Sequence, residues 1–143
     1  MTANGYSYKI KMEREKFRTR PFYHYENGQF SSFNIPEIIE DLKNDKNWRN
    51  GELVSVILLK SPSLKVLLTL LHEGTEVISY QSNDSTTFEV IEGSLILHIR
   101  NESVIINEGE TLTLKEKIKF SFDTIEKTAF LMTLVSEKEF TNG

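Results

Sequence analysis

Short runs of hydrophobic residues, many of them alternating with polar ones, occupy most of the chain after residue 52. Runs of about four to eight residues rich in Val, Ile, Leu and Phe are typical of β-strands. The predicted strands are Leu53–Leu59, Leu64–Leu71, Thr75–Tyr80, Thr86–Ile91, Leu95–Ile99, Val104–Ile106, Thr111–Leu114, Ile118–Phe122 and Ala129–Val135. Turn residues separate them and no helical pattern interrupts them. The chain is therefore predicted to be all-β, a sandwich or barrel, rather than a parallel α/β sheet.

One short amphipathic helix is predicted before the strands. Asn34 is the expected N-cap, Pro36 falls in the first turn, and Glu37 follows the cap by three residues. One face of the helix is apolar, through Ile35, Ile38, Ile39 and Leu42. The helix is expected to end within residues 47–51, with Trp48 covering an edge of the core.

Residues 1–33 are predicted to form an N-terminal arm, and residues 34–143 a barrel with its flanking helix. In residues 6–12, apolar and polar side chains alternate, which predicts an edge strand. The aromatic stretch 17–33 is expected to pack on the core through its rings. The first 20 residues hold six basic and two acidic side chains, a net charge of +4 in a chain of −4. Solvated charges on an edge strand are favoured over binding of an anion or RNA.

Composition narrows the functional classes. The 143 residues fit one domain, and 0 Cys excludes disulfides, thiol catalysis, zinc fingers and iron–sulfur clusters. The net charge of −4 makes nucleic-acid binding unlikely as the main function. No apolar run approaches the roughly 20 residues of a membrane span, and the N-terminus lacks an apolar signal core. The sequence therefore predicts a soluble, cytoplasmic protein without a membrane partner.

Residues 74–134 carry a pattern of glycines and strands that identifies a family. Its elements are Gly74, the stretch Phe88–Leu97 around Gly93, and the stretch 105–112 around Gly109. The pattern resembles that of small single-domain cupins, and the resemblance extends over about residues 30–135. It implies a double-stranded β-helix, or jelly-roll barrel, with a helix before it. Gly93 is expected in a tight hairpin turn and Gly109 in a left-handed turn.

The metal ligands of the cupin family are not matched in this chain. The ligand positions fall on Tyr80, Ser82, Thr86 and Phe120, or on Ser79 and Gln81 for the first two with the longer spacing. The family's Pro, Gly and Asn positions fall on Lys115, Lys117 and Thr124. Transition metals prefer imidazole or carboxylate ligands, which these residues do not supply. No metal or other cofactor is therefore expected, and oxygenase or isomerase chemistry is not carried over.

Titratable side chains give no clear catalytic group. Metal-free cupin enzymes, by resemblance, pair a His base with a carboxylate and a Tyr acid. Here Tyr80 is predicted inside, but no His or Asp accompanies it. The three histidines are interpreted as packed or surface residues: His24, His72 and His98, the last facing outward. The nearby carboxylates are interpreted as a solvated rim: Glu89 and Glu92 beside Gly93, and Asp123 and Glu126 in a loop after Phe122.

Strand alternation assigns six residues to the barrel interior and mouth: Tyr80, Ser82, Thr86, Phe88, Phe120 and Phe122. Aromatic walls with a few hydroxyls suit a small apolar or aromatic ligand, but the same rings could fill the core, and the sequence leaves both open.

A non-catalytic cupin, binding a small ligand or serving as a structural module, is the first functional hypothesis. A cupin-superfamily enzyme, isomerase or dioxygenase-like, with a non-standard site is the alternative. A homodimer is expected, with residues 6–12 joining the partner's sheet unless the arm folds back on its own barrel.

Overall fold

The computed structural model describes residues 8–11, 19–20, 25–26, 31–81 and 83–136; of residues 8–11, 19–20, 25–26 and 79–81 it describes the backbone alone. The helices are α1 (Ile35–Lys43) and α2 (Lys46–Arg49). The strands are β1 (Tyr8–Lys11), β2 (Thr19–Arg20), β3 (Tyr25–Glu26), β4 (Ser31–Ser32), β5 (Val54–Lys60), β6 (Leu64–Leu71), β7 (Thr75–Gln81), β8 (Ser85–Glu92), β9 (Ser94–Ile99), β10 (Glu102–Asn107), β11 (Thr111–Leu114), β12 (Lys119–Asp123) and β13 (Thr128–Val135).

Two large sheets form the barrel. One has the strand order β1-β7-β12-β9-β10, the other β11-β8-β13-β6-β5-β2, and β3 and β4 form a separate pair. Pairing is antiparallel except between β1 and β7 and between β2 and β5. From β5 to β13 the chain passes from one sheet to the other six times: between β6 and β7, β7 and β8, β8 and β9, β10 and β11, β11 and β12, and β12 and β13. The predicted all-β jelly-roll fold is confirmed.

Alternation along the strands places the barrel core between the two sheets. On β8, Thr86, Phe88 and Val90 are buried whereas Glu89 is exposed. The cluster that fills the barrel consists of Leu71, Val77, Phe88, Val90, Leu95, Leu97, Ile106, Leu114, Phe120, Phe122, Phe130 and Met132. Apolar and polar residues alternate in the sequence of β8 because one face of the strand lies against this core and the other faces away from it.

A second core lies on the other face of the six-stranded sheet, beneath the helices. Ile38, Ile39 and Leu42 of α1 and Trp48 of α2 belong to one buried cluster with side chains of β5 and β6. Five consecutive residues of β6, 67–71, are buried. Burial on both faces explains why residues 53–59 and 64–71 read as nearly continuous apolar runs instead of alternating.

The helical segment differs from its prediction at its end. The backbone N–H of Glu37 donates to Asn34 Oδ1 at 3.1 Å, which confirms the N-cap. However, α1 already ends at Lys43, and Asp45 caps a second helix by accepting a hydrogen bond from the backbone N–H of Asn47 at 2.8 Å. The prediction of one helix reaching residues 47–51 was wrong because Asp45 starts a new cap. Trp48 is 7% exposed, as expected for a side chain covering the core.

Gly93 and Gly109 both have positive φ, of 82° and 86°. The left-handed turn at Gly109 is confirmed, and its N–H donates to the carbonyl oxygen of Val90 at 2.8 Å. The hairpin predicted at Gly93 was wrong, because β8 and β9 belong to different sheets. Gly93 instead makes a sharp crossing where the β12–β13 connection approaches closely: a Cβ there would lie 2.3 Å from the carbonyl oxygen of Lys127.

The N-terminal strand β1 lies at an edge, parallel to β7 of the same chain, with Tyr8 opposite Thr75 and Lys11 opposite Ile78. In this pairing the N-terminal arm folds back on its own barrel, which was the alternative to joining a partner's sheet. A homodimer stays a prediction. The remainder of the aromatic arm, apart from Phe33 and the short strands β2 to β4, lies outside the described residues. In the part of the chain described, neither helix has the length and apolarity needed to cross a bilayer.

Candidate functional site at the barrel mouth

Four phenylalanine rings occupy the described part of the barrel interior. Phe88 lies edge-on to Phe120 and Phe122, with centroid distances of 5.5 and 5.8 Å, and Phe130 lies edge-on to Phe122 at 5.6 Å. Phe88 and Phe122 are 0% exposed and Phe120 is 3% exposed. These distances are those of favourable aromatic packing, so the rings form core at this depth. Contact of Phe88, Phe120 or Phe122 with a ligand stays a prediction.

Thr86 is the polar residue of this interior. It is 1% exposed, and its Oγ1 has no hydrogen-bond partner among the described residues. Its neighbours across β11 and β13 are Leu114 and Leu134, which offer no side-chain acceptor. A buried hydroxyl without a partner costs about 1–3 kcal/mol. The side chains of Tyr80 and Ser82, the other predicted mouth residues, lie outside the described ones.

The residues at the family's metal positions do not fit a metal ion. Thr86 supplies a single neutral hydroxyl, and Phe120 supplies a ring that packs against Phe88. Within residues 31–78 and 83–136, whose side chains are described, no three His, Asp or Glu side chains form a group that could hold a metal. Divalent transition metals need imidazole or carboxylate donors at about 2.0–2.2 Å.

The purified protein is expected to contain less than about 0.1 equivalent of iron, zinc, manganese, copper or nickel. Elemental analysis after growth in metal-supplemented medium measures this content. Treatment with a chelator should leave the thermal unfolding midpoint unchanged, because only a metal bound to the folded state would raise that midpoint. About one equivalent of metal, lost on chelation and restored on addition, would contradict the expectation.

A pocket of about 470 Å³ opens at one end of the barrel core. Ile99, Leu114 and Ile118 line its apolar part, and all three also contact the phenylalanine-rich core. Its polar part consists of Arg100, Asn101, Glu102, Thr113 and Lys115. The volume lies within the range of about 300–1,000 Å³ that is usual for small-molecule sites. We call these eight residues the mouth pocket.

Strand register places the mouth pocket beside the family's ligand positions. Ile99 is the cross-strand partner of Phe120, and Leu114 is the partner of Thr86. Alternation along β9 places Ile99 on the face opposite the outward His98, but it gives no sign of a pocket. The signal that could have found the pocket is positional, since Ile99 and Leu114 are the last residues of β9 and β11 and Ile118 immediately precedes β12.

His98 faces outward from β9, as predicted, and bridges three strands. Its Nδ1 lies 2.8 Å from Ser103 Oγ on β10, and its Nε2 lies 3.1 Å from Asp123 Oδ2 on β12. Asp123 was predicted in a loop but is the last residue of β12, because pairing with Glu76 and Ile96 extends the strand. The three side chains crosslink neighbouring strands on the outer face of their sheet.

The other predicted rim carboxylates also lie on the surface or close to it. Glu89 is exposed, and Glu92 Oε1 lies 3.2 Å from Lys43 Nζ, which ties α1 to β8. Ser94 Oγ donates to Glu126 Oε2 at 3.0 Å. These contacts fix local structure and leave the carboxylates outside the barrel interior.

His72 is a packed histidine, as predicted. Its ring stacks on Trp48 with a centroid distance of 3.5 Å, and its Nε2 lies 3.0 Å from the Trp48 carbonyl oxygen. Burial lowers the pKa of His72 below the usual 6.5, which favours the neutral ring. The hydroxyls of Thr75 and Thr124 both donate to its carbonyl oxygen at 2.7 Å. His72 thus joins α2 to the barrel. His24 lies outside the described residues.

Solved structures similar to this one include proteins described as cupins. The EutQ protein of Clostridium difficile matches with a TM-score of 0.64 at 19% identity, covering 83% of this chain and 98% of that one. A cupin 2 conserved barrel domain protein from Leptotrichia buccalis matches at 0.63 and 21% identity, covering 73% and 47%. A cupin-2 domain containing protein from Shewanella frigidimarina matches at 0.58 and 14%, covering 71% and 91%.

The barrel is therefore a cupin fold. At the metal-ligand positions of the cupin pattern, Thr86 and Phe120 supply neither an imidazole nor a carboxylate. Comparison of the sequence with family models and with curated proteins finds no match. At identities of 14–21%, the likeness establishes the fold and not the activity.

Proposed function

We propose that this cupin is a non-catalytic protein that binds a small, largely apolar molecule in the mouth pocket. The observation that carries the proposal is the pocket itself, whose apolar floor of Ile99, Leu114 and Ile118 continues the buried core to the surface. A concave site with an apolar floor and a few polar groups at one side is the usual form of a small-molecule site.

The chemistry of the site supports binding rather than turnover. The mouth pocket contains one carboxylate, Glu102, and no His, so no acid–base pair is assembled among its lining residues. His98 and Asp123 form a pair, but their side chains lie on the outer face of the sheet.

Binding is tested with 1-octanol and benzyl alcohol, followed by the methyl NMR signals of the protein. We expect concentration-dependent shifts at Ile99, Leu114 and Ile118 and none at Ile38 or Ile39, which are buried under α1. Ile118→Gln should weaken the binding of both alcohols about fivefold or more, because it replaces an apolar side chain of the pocket floor by a polar amide.

Ile125→Gln is the matched control. Ile125 is 68% exposed and lies between β12 and β13, outside the lining of the mouth pocket. The same substitution there should leave both affinities within about twofold of the unchanged protein. Shifts confined to other regions, or equal losses in the two variants, would contradict the proposal. Chemical conversion of either alcohol during the titration would favour a cupin enzyme with a non-standard site.

A further inference from the structure

The polar side of the mouth pocket is positively charged in an acidic chain. Arg100 and Lys115 line the pocket together with one acidic residue, Glu102, so the lining carries a net charge of +1. Residues 99–102 and 113–119 together hold four basic and two acidic side chains, although the whole chain carries −4. The local charge at the pocket is therefore opposite in sign to that of the protein.

Both pocket cations are available to a ligand. In the described part of the chain, neither Arg100 nor Lys115 forms an ion pair or a side-chain hydrogen bond. Both residues are exposed to solvent. Beside them, Ile99 and Ile118 are partly buried and Leu114 is 7% exposed. A cationic rim next to an apolar floor is complementary to a ligand that carries an anion at one end and an apolar stem.

A tight turn fixes the backbone at Arg100. Arg100 and Asn101 form the two-residue turn between β9 and β10, with Ile99 paired to Glu102. Arg100 is the first central residue and has φ = 56°. A hairpin turn with positive φ at this position favours Gly, and an L-residue there costs about 1–2 kcal/mol. The turn thus holds the Arg100 side chain at the edge of the mouth pocket, at a cost to the backbone.

From these observations we propose that the mouth pocket binds organic monoanions with an apolar stem, such as medium-chain carboxylates. The carboxylate lies between Arg100 and Lys115, and the stem lies on Ile99, Leu114 and Ile118. The net charge of +1 matches a single negative charge, whereas an organic cation would meet two cations and one carboxylate. This inference rests on the proposed function and specifies the ligand class of the same site.

Three probes of one chain length test the ligand class: octanoate, 1-octanol and octylammonium, titrated at pH 7 and low salt against the methyl signals of the pocket. We expect octanoate to bind about tenfold more tightly than octylammonium and at least about threefold more tightly than octanol. The advantage of octanoate should shrink on addition of about 0.5 M NaCl, because the cations are solvent-exposed and salt screens them.

Arg100→Gly and Lys117→Gly form a matched pair of variants. Each removes one positive charge at a residue of positive φ, 56° and 66°, but only Arg100 lines the pocket. Arg100→Gly should weaken the binding of octanoate about fivefold and leave the affinity for octanol unchanged. It should cause no loss of unfolding free energy, because Gly adopts the positive φ of this turn without strain. Lys117→Gly should change octanoate affinity less than twofold. Lys115→Gln, which leaves the backbone unaltered, should weaken octanoate like Arg100→Gly.

The outcomes separate this inference from the proposed function. If none of the three probes moves the signals of Ile99, Leu114 and Ile118, the proposed pocket itself fails. If octanol or octylammonium binds as tightly as octanoate, the pocket stands and the anion preference is overturned. Equal losses of octanoate affinity in Arg100→Gly and Lys117→Gly would also overturn it, since the effect would then come from overall charge.

Discussion

Phe122→Ala is expected to lower the free energy of unfolding by about 3–5 kcal/mol, the usual cost of removing a fully buried aromatic ring. Phe122 is 0% exposed, and its ring contacts those of Phe88, Phe120 and Phe130 at centroid distances of 5.8, 6.4 and 5.6 Å. Phe88 and Phe122 each contact the other three rings of the cluster, so the substitution removes one of its two best-connected members and leaves a cavity between the two sheets.

Urea unfolding followed by tryptophan fluorescence measures the loss, with the midpoint and the slope reported separately. Phe122→Leu, which keeps most of the volume, should lose only about 1–2 kcal/mol. Ile125→Ala, at a 68% exposed position, should stay within about 0.5 kcal/mol of the unchanged protein. A midpoint of Phe122→Ala equal to that of Ile125→Ala would show that the ring is not part of a filled core.

Gly93→Ala is expected to lower the free energy of unfolding by about 3–5 kcal/mol, through strain and overpacking together. The new Cβ would lie 2.3 Å from the Lys127 carbonyl oxygen and 2.7 Å from Thr128 Oγ1. Thr128 Oγ1 donates to the Ser94 carbonyl oxygen at 2.8 Å, so movement away from the methyl group breaks a buried hydrogen bond.

Gly109→Ala separates the two causes. Gly109 has nearly the same φ, 86°, but a Cβ there would meet nothing within 4 Å. Only the backbone cost of about 1–2 kcal/mol is expected at this position. Chemical denaturation of both variants under identical conditions gives the difference. Equal losses at Gly93 and Gly109 would show that the close approach of Lys127 and Thr128 does not restrict residue 93.

The strands could be predicted because each buries one face or both, and burial leaves a period of two or a continuous apolar run in the sequence. Residues 64–71 and 111–114 were predicted with the bounds that the structure shows. The division of the strands between two sheets could not be predicted, because it depends on pairing partners far along the chain. Gly93 is an example. Its positive φ could be predicted, but a hairpin turn and a crossing between sheets can both use a positive φ, so the sequence did not distinguish them.

The mouth pocket was only partly predictable for the same reason. The inward direction of Ile99 follows from alternation, and the loss of metal ligands at Thr86 and Phe120 follows from motif spacing. That Ile99, Leu114 and Ile118 meet at one end of the barrel depends on the registers of β9 with β12 and of β8 with β11. The positive φ of Arg100 could not be predicted from the sequence. Hydrophobic periodicity carries no information about turn residues, and Arg-Asn is not a common hairpin dipeptide.

The position of β13 governs the order in which the barrel can assemble during synthesis. Strand β13 lies between β8 and β6 in the six-stranded sheet, with Phe130 opposite Val90 on one side and Thr69 on the other. A growing chain that has not reached residue 128 therefore presents two apolar strands whose backbone groups lack the strand between them. Long-range pairing of this kind is slow, and unpaired apolar edges favour aggregation. The six-stranded sheet is therefore complete only after β13, which follows both of its partner strands in the chain, has been made and inserts between β6 and β8.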